Sequence, residues 1–548
     1  MKTILAVAVV SLLCGAAVAQ HSAATDQTKP ATLMTGLGDL HHPVTTANAQ
    51  AQEFFDQGLR LIYAFNHYEA ARSFRHAAEL DPKLAMAWWG VAEAVGPNYN
   101  DPASDERFAQ AHEAIQKASD LASGASASEQ AYIAAMAKRF PADPKADRRL
   151  AAESYHDAMR ALMQQYPDDL DAATLFAESG MDLHPWGLWH LDGTPEQGTD
   201  EIIASLESVL RRDPNHMGAV HYYIHAVEAS PSPERGLAAA NRLASLAPAA
   251  GHLVHMPGHI YIRTGDWEQA VKTNEKAAAD DEAYMKAGGL PGIYQLMYYS
   301  HNLHFIAMCA SMNGNYDEAR QAAERLATHV SPHVKDVPPL EAFMTIPMAV
   351  DVRFHRWADI LAMPQPAADR KVTTTYWHFA RGMALASTGK IADAEAEYKA
   401  LTGIRDATPE DAVFSMPFNN KTRDVLGIAT NVLGAKIAAA KNDNAGATEM
   451  LREAVKFQDG LKYGEPPDWF FPVREMLGGE LLAGGNAPEA EKVFREDLSR
   501  NPRNPRSLFG LREALKAQQR AYDEQFVDKQ FKAAWRGPKM DLQLADIT

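Results

Sequence analysis

From Asn48 onward, apolar residues and alanines return every three or four positions through segments of about 10 to 15 residues. Between those segments stand Asp-Pro, Gly-Asp or Gly-Asn. A three- to four-residue period marks one face of an α-helix, and such dipeptides stop a helix and turn the chain. This pattern predicts an all-α fold made of one helix hairpin after another. At 548 residues the chain exceeds what one compact core supports, so several domains or an elongated array are expected. An apolar fraction of 46% excludes wholesale disorder.

The hairpins share a signature. In residues 54–82, Gly58, Ala70, Phe74, Ala77 and Pro82 supply small, small, aromatic, small and proline positions. The set recurs in part with Gly258, Gly265, Ala270 and Ala277, with Gly314 and Ala319, with Gly382, Gly389 and Ala394, and with Gly478, Ala490, Phe494 and Pro502. Less regular copies start near Ala85, Leu170 and Met217. The pattern resembles the tetratricopeptide repeat, in which small residues let two helices approach closely. The resemblance covers most of residues 48–535 and implies a right-handed superhelical solenoid with helical inserts where the period fails, at 101–167 and 184–199. The insert run at 182–190, DLHPWGLWH, is expected to fold over something, because indoles are costly to leave in water; Trp186 and Trp189 read as an apolar plug.

Met1 and Lys2 precede an apolar run from Thr3 to Leu13, and Ala17-Val18-Ala19 gives a small-x-small cleavage pattern. A cleaved signal peptide and a periplasmic or secreted product are therefore expected. Leu13 stands where lipidation of Cys14 wants a small residue, which argues against a lipoprotein. Cleavage leaves Cys309 as the one cysteine, so stability must come from packing or metal. The formal charge is -17, about -18 without Lys2, and it repels nucleic acid and anionic lipid. No later segment is long and apolar enough for a transmembrane span. The expected organisation is signal peptide 1–19, flexible leader 20–47, N-terminal repeats 48–100, insert-containing repeats 101–200, histidine-rich repeats 201–330, and C-terminal repeats with a cap at 331–548. The aromatic-proline turn at 464–474 is expected to cap or bend the array. His41 and His42 read as a surface pair in the leader.

Within the tetratricopeptide resemblance, the first helix of each repeat lines a concave groove, with groove-facing residues six before, three before and one after the central small residue. These offsets fall within an arc of about 60°. They select Gly218, His221 and His225, then His252, His255 and His259, then His301, His304 and Met308. Seven of the nine positions are histidine in a chain with 21 histidines among 548 residues. Pairs at i, i+3 and i, i+4 bring imidazoles near enough to share an ion, and Cu, Zn or Fe suits such ligands. Met256 and Met308 incline the choice towards copper. Glu228 follows His225 on the same face, the preceding repeat offers Thr174, Glu178 and Asp182, and the first full helix pair offers Trp89 and Glu93. Glu178 and Asp182 are the candidate general base or oxygen ligand. An imidazole site is expected to lose its metal below about pH 6.

Phosphate-loop, Gly-x-Ser-x-Gly and zincin signatures are missing, and Cys309 falls on the helix-packing side. Three readings of the aligned histidines stay open at this point: a transition-metal site, a ladder of hydrogen-bonded or proton-transferring imidazoles, and a metal-free scaffold. The first makes an exported metal-handling protein or a metal-dependent hydrolase or oxidoreductase acting on a small molecule or peptide. The last holds a peptide or protein partner in the groove.

Overall fold

The computed structural model describes residues 31–143, 145–288, 294–415, 420–537 and 542–548. The expected signal peptide, 1–19, lies outside them. Among the described residues no strand forms, only three isolated bridges, and helix hairpins follow one another along the chain. No helix among them is long and apolar enough to cross a membrane. Two compact units emerge: residues up to Ile260 with Lys276–Tyr298, and Tyr261–Glu275 with Tyr299–Thr548.

In the first unit, α1 (Ala49–Tyr63), α2 (His67–Leu80), α3 (Ala85–Val95), α4 (Asp105–Leu121), α5 (Ala127–Arg139) and α6 (Arg148–Gln165) precede α7 (Leu170–Leu183), α8 (Thr199–Arg212), α9 (Met217–Glu228), α10 (Leu237–Leu246) and α11 (Gly251–His255). Consecutive helices pack on one another, and α9 also touches α1 and α7. Short polar side chains start many of them: Asn48 accepts from two amides at the start of α1, and Ser126 closes a capping box with Glu129 on α5.

The small-aromatic-small code has a direct steric meaning. Phe74 of α2 is fully buried between Gly58 of α1 and Gly90 of α3, where an added Cβ would stand 2.6 Å and 2.5 Å from its ring. The second unit repeats the arrangement: Phe494, from Ala487–Arg500, lies between Gly478 and Gly510, with 2.5 Å and 2.1 Å left for a Cβ. In both, the glycines admit an aromatic ring that joins one hairpin to the next.

Residues 31–47 correct the expectation of a flexible leader. They cross the first unit and exchange hydrogen bonds mostly with side chains that take backbone groups. Gln57 accepts from the Met34 amide at 2.6 Å and donates to the Thr32 carbonyl at 3.0 Å. Gln52 does the same with Val44 and His42, Arg60 donates to the Leu40 carbonyl, and Glu129 accepts from the Thr45 amide. His41 and His42 are likewise no loose pair: His41 meets Asp56 at 2.7 Å, and His42 meets Asp171 at 2.7 Å with only 13% of its side chain exposed. Composition alone missed this segment because its bonds are made by its backbone.

The second unit includes Ser300–Asn313, Tyr316–Val330 and a run of hairpins from Lys371–Ser387 to Ala521–Ala534. Its core holds a polar knot: Arg353 grips Glu475 through two bonds of 3.0 and 3.1 Å, and Asn504 ties Glu475 to Asp497. Trp469 and Phe471 of the aromatic-proline turn are buried, Trp469 against Phe379.

Gly90→Ala is expected to cost about 1–3 kcal/mol by overpacking, read as a lower urea midpoint. Gly403→Ala, on an exposed helical position with open space for a Cβ, should gain roughly 0.5–1 kcal/mol; equal effects at the two sites would refute the wedge.

Burial alone would depress His42, but its hydrogen bond and charge pairing with Asp171 raise its pKa from 6.5 to about 8. Stability from this charge is present in full below pH 6.5 and is lost as pH rises through about 8. Asp171 is held below the usual carboxylate range despite its burial, by bonds from His216 and His42, so its share is lost only in acid. His42→Ala should therefore cost up to about 2 kcal/mol near pH 5.5 and much less near pH 9. A denaturant-midpoint gap that is the same at both pH values contradicts the charged pair.

Candidate metal centre

Every residue of α9 and α11 is buried, which a helix achieves only when it has neighbours on all sides. The histidines selected from these helices are therefore not aimed into an open groove. His221, His225, His252, His255 and His259 are each no more than 3% exposed, and they form a closed ring of imidazoles. Ring centroids stand 4.9 Å apart for His221–His252, 5.8 Å for His252–His255, 4.6 Å for His255–His259, 5.5 Å for His259–His225 and 4.9 Å for His225–His221. Pro257 helps set this arrangement. It has no N–H to give, so the helix is interrupted after His255 and restarts as α12 (Pro257–Thr264).

The outer nitrogens fix the tautomers. His221 Nδ1 lies 2.7 Å from the Tyr63 carbonyl oxygen, which only accepts, so Nδ1 carries the proton and Nε2 carries a lone pair. His225 Nδ1 lies 2.9 Å from one oxygen of buried Glu228, and His259 Nδ1 bonds the other. One carboxylate thus orients two imidazoles, the outer-shell pattern usual for metal-binding histidine. Inside the ring, His221 Nε2 and His252 Nε2 are 3.2 Å apart, and His255 Nε2 and His259 Nε2 are 2.7 Å apart. His225 Nε2 is buried with no hydrogen-bond partner among the described residues. Ligand atoms of His221, His225 and His252 lie within 4.8 Å of one another, as do those of His225, Glu228 and His259.

Burial lowers His225 to a pKa of about 3, and burial followed by the neighbouring His225 charge holds His221 well below its ordinary value. Both are neutral, as ligation requires. The walls are aromatic. Phe65 stacks on His225 and His252, Tyr298 meets His252 edge-on at 4.7 Å, and Tyr99 and Trp186 lie 5.1 and 5.8 Å from His225. The 182–190 run does fold over something, namely α9: Trp189 Nε1 donates to the Ala226 carbonyl at 2.8 Å, and Trp186 holds a left-handed backbone at φ 59°.

Glu178 and Asp182 are buried, but neither joins a ligand-distance group of three with the histidines among the described residues. They belong to a carboxyl cluster around Arg139, which meets Glu93 at 3.1 Å and Asp182 at 2.5 Å. Burial, then Asp182 and Glu93, hold Glu178 well above the carboxylate range; burial raises Asp182 to about 7 against the pull of Arg139. The pair therefore carries a proton at neutral pH. Glu178 Oε2 and Asp182 Oδ1 are buried without partners among the described residues. Trp89 is buried against Tyr132.

His301 and His304 belong to the second unit, where His301 packs on Phe305 and His304 lies between Phe343 and Phe470. Cys309 is buried there, and burial pushes its thiol far above the ordinary range, so it is no nucleophile. His67 was missed from sequence. It lies one ring from the cluster through Phe65, and both its nitrogens are buried without hydrogen-bond partners among the described residues. It opens a second helix, and no register of first helices selects it.

No family model matches the chain, and no curated protein matches it. Among solved structures, the human IFIT1 dimer with m7Gppp-AAAA matches over 90% of this chain and 91% of that one, at 11% identity and a TM-score of 0.33. The APC/C heterotetramer Cut9–Hcn1 matches over 90% and 78%, at 10% identity and a TM-score of 0.30. The P58(IPK) TPR domain matches over 86% and 99%, at 10% identity and a TM-score of 0.23. The chain's own packing, with a phenylalanine wedged between glycines at 58, 74 and 90 and again at 478, 494 and 510, makes it an all-α array of tetratricopeptide-type helix pairs.

Proposed function

We propose that the first unit binds one transition-metal ion through Nε2 of His221, His225 and His252, with Glu228 as the carboxylate that orients His225. One observation carries the reading: two buried neutral imidazoles, His221 and His225, whose Nδ1 protons are taken, with ligand atoms within 4.8 Å of one another and of His252. Two nitrogens each ~2.0–2.1 Å from a tetrahedral ion lie roughly 3.3–3.4 Å apart. The His221–His252 separation of 3.2 Å fits that spacing. The donor set suits Zn, Cu or Fe, and such an ion supplies Lewis acidity or redox chemistry.

His255 and His259 complete the ring beside this ion. His301 and His304, read from sequence beside these five histidines, belong to the second unit. Glu178 and Asp182 serve as the proton-carrying pair of a metal-dependent hydrolase or oxidoreductase acting on a small molecule or peptide. The apolar run before Ala17-Val18-Ala19 supports a reading in which the protein acts outside the cytoplasm.

Elemental analysis of untagged protein should find about one equivalent of transition metal, lost in His221→Ala/His252→Ala and bound roughly 10–100-fold more weakly in Glu228→Gln. Glu178→Gln should keep the metal. Metal-free wild type would sink this proposal and favour the scaffold reading.

The burial that lowers His225 to about 3 moves the expected acid limit of metal release downward. Protons compete for a ligand only near and below its own pKa, so release should begin below about pH 5 rather than at 6. Dialysis against buffers from pH 7 to 3 checks this, and half-release at pH 6 would mean that the imidazoles titrate as if exposed.

A further inference from the structure

We infer that residues 31–47 act as a positioning strap for the histidine ring, setting the helices and the tautomer on which ligation depends; this rests on the metal reading above. The strap meets the start of both ligand-bearing helices. At one end, Ala249 donates to the Gly36 carbonyl at 2.9 Å, and Ala250 is the N-cap of α11, which carries His252 and His255. This approach needs glycine. Gly36 and Gly38 have φ of 80° and 86°, and an added Cβ would stand 2.8 Å from the Ala249 Cβ and 2.7 Å from the Leu246 carbonyl oxygen.

At the other end, His42 holds Asp171, and Asp171 serves two groups that set α9. Its Oδ1 accepts from the Tyr63 hydroxyl at 2.6 Å and lies 3.2 Å from His216 Nε2. His216 is the N-cap of α9, its Nδ1 accepting the Ala219 amide at 3.2 Å, so Nε2 carries the proton that Asp171 takes. Tyr63 supplies the backbone carbonyl that receives His221 Nδ1–H, and its ring fills the space over Gly218 on α9. An unbroken path thus runs from strap to ligand: His42, Asp171, Tyr63, His221. Without His42, Asp171 loses a charged partner in a buried place, and the carbonyl that fixes the His221 tautomer loses its anchor.

The strap differs from a merely stabilising segment in what its loss should move. Two full-length variants release it without touching a ligand: Gly36→Val/Gly38→Val, and the milder His42→Gln. Gly90→Ala serves as a control destabilised elsewhere in the unit, and circular dichroism confirms that all three are helical. Zinc affinity is measured by competition with a chromophoric chelator. Carbethoxylation of His221 and His252 in metal-free protein is mapped by mass spectrometry.

The strap variants should bind zinc at least about ten-fold more weakly and should react several-fold faster at His221, while Gly90→Ala changes neither. Unchanged affinity and reactivity in the strap variants, or equal changes in Gly90→Ala, overturn the inference. Faster carbethoxylation of strap variants in a protein whose wild type takes up no zinc would refute the metal reading and leave the strap's hold on His221 standing.

Discussion

Imidazoles can be buried together only if each is neutral and its N–H finds an acceptor, and the centre of the first unit is organised around that requirement. The backbone carbonyl of Tyr63 takes the proton of His221, and a single carboxylate, Glu228, takes those of His225 and His259. Remove these acceptors and the ring would have to turn, protonate or open to water. Glu228 is itself 1% exposed. A carboxylate at that depth is costly unless positive charge stands near. Around Glu93 and Asp182 that charge is supplied by the guanidinium of Arg139. Around Glu228 the partners include the imidazoles of His225 and His259.

That arrangement depends on how closely the helices pack. The glycines around Phe74 let consecutive hairpins approach until ring carbons touch backbone, and the same closeness along α1, α7 and α9 leaves α9 with no exposed face. A looser array would leave a histidine-lined groove in water, with imidazoles near their ordinary pKa and no reason to hold one tautomer. The repeat architecture therefore does more than carry the site. It supplies the dryness that keeps the nitrogens unprotonated, and the strap and the Trp186 loop close what the helices leave open.

Much of this was legible in the sequence. The small-aromatic-small signature with its proline foretold the hairpins, and the groove register picked out His221, His225, His252, His255 and His259, along with His301 and His304 of the second unit. The rest was hidden for identifiable reasons. A register names the face on which a residue lies but not whether something covers that face, so burial of the ring could not be read from it. The strap holds on through backbone amides and carbonyls, which leave no mark in composition. His67 opens a second helix and reaches the ring by way of Phe65, a contact no repeat pattern encodes. Glu178 and Asp182 were found by their face, but the arginine that claims one of them comes from α5, inside an insert where the period fails.

The same burial decides between two uses of the ring. His255, His259, Glu228 and His225 form a continuous chain of hydrogen-bonding groups, which has the connectivity of a proton relay. A relay must pass through charged imidazole. With His225 lowered to about 3 by burial, charging it at neutral pH costs about 5 kcal/mol, even with the Glu228 carboxylate 2.9 Å from its Nδ1. A metal ion makes the opposite demand, since it binds the neutral ring through the lone pair that the Nδ1 hydrogen bonds leave on Nε2. The burial that makes protonating His225 expensive leaves its Nε2 lone pair to a cation, and the Nδ1 acceptors hold the ring in the tautomer that presents it.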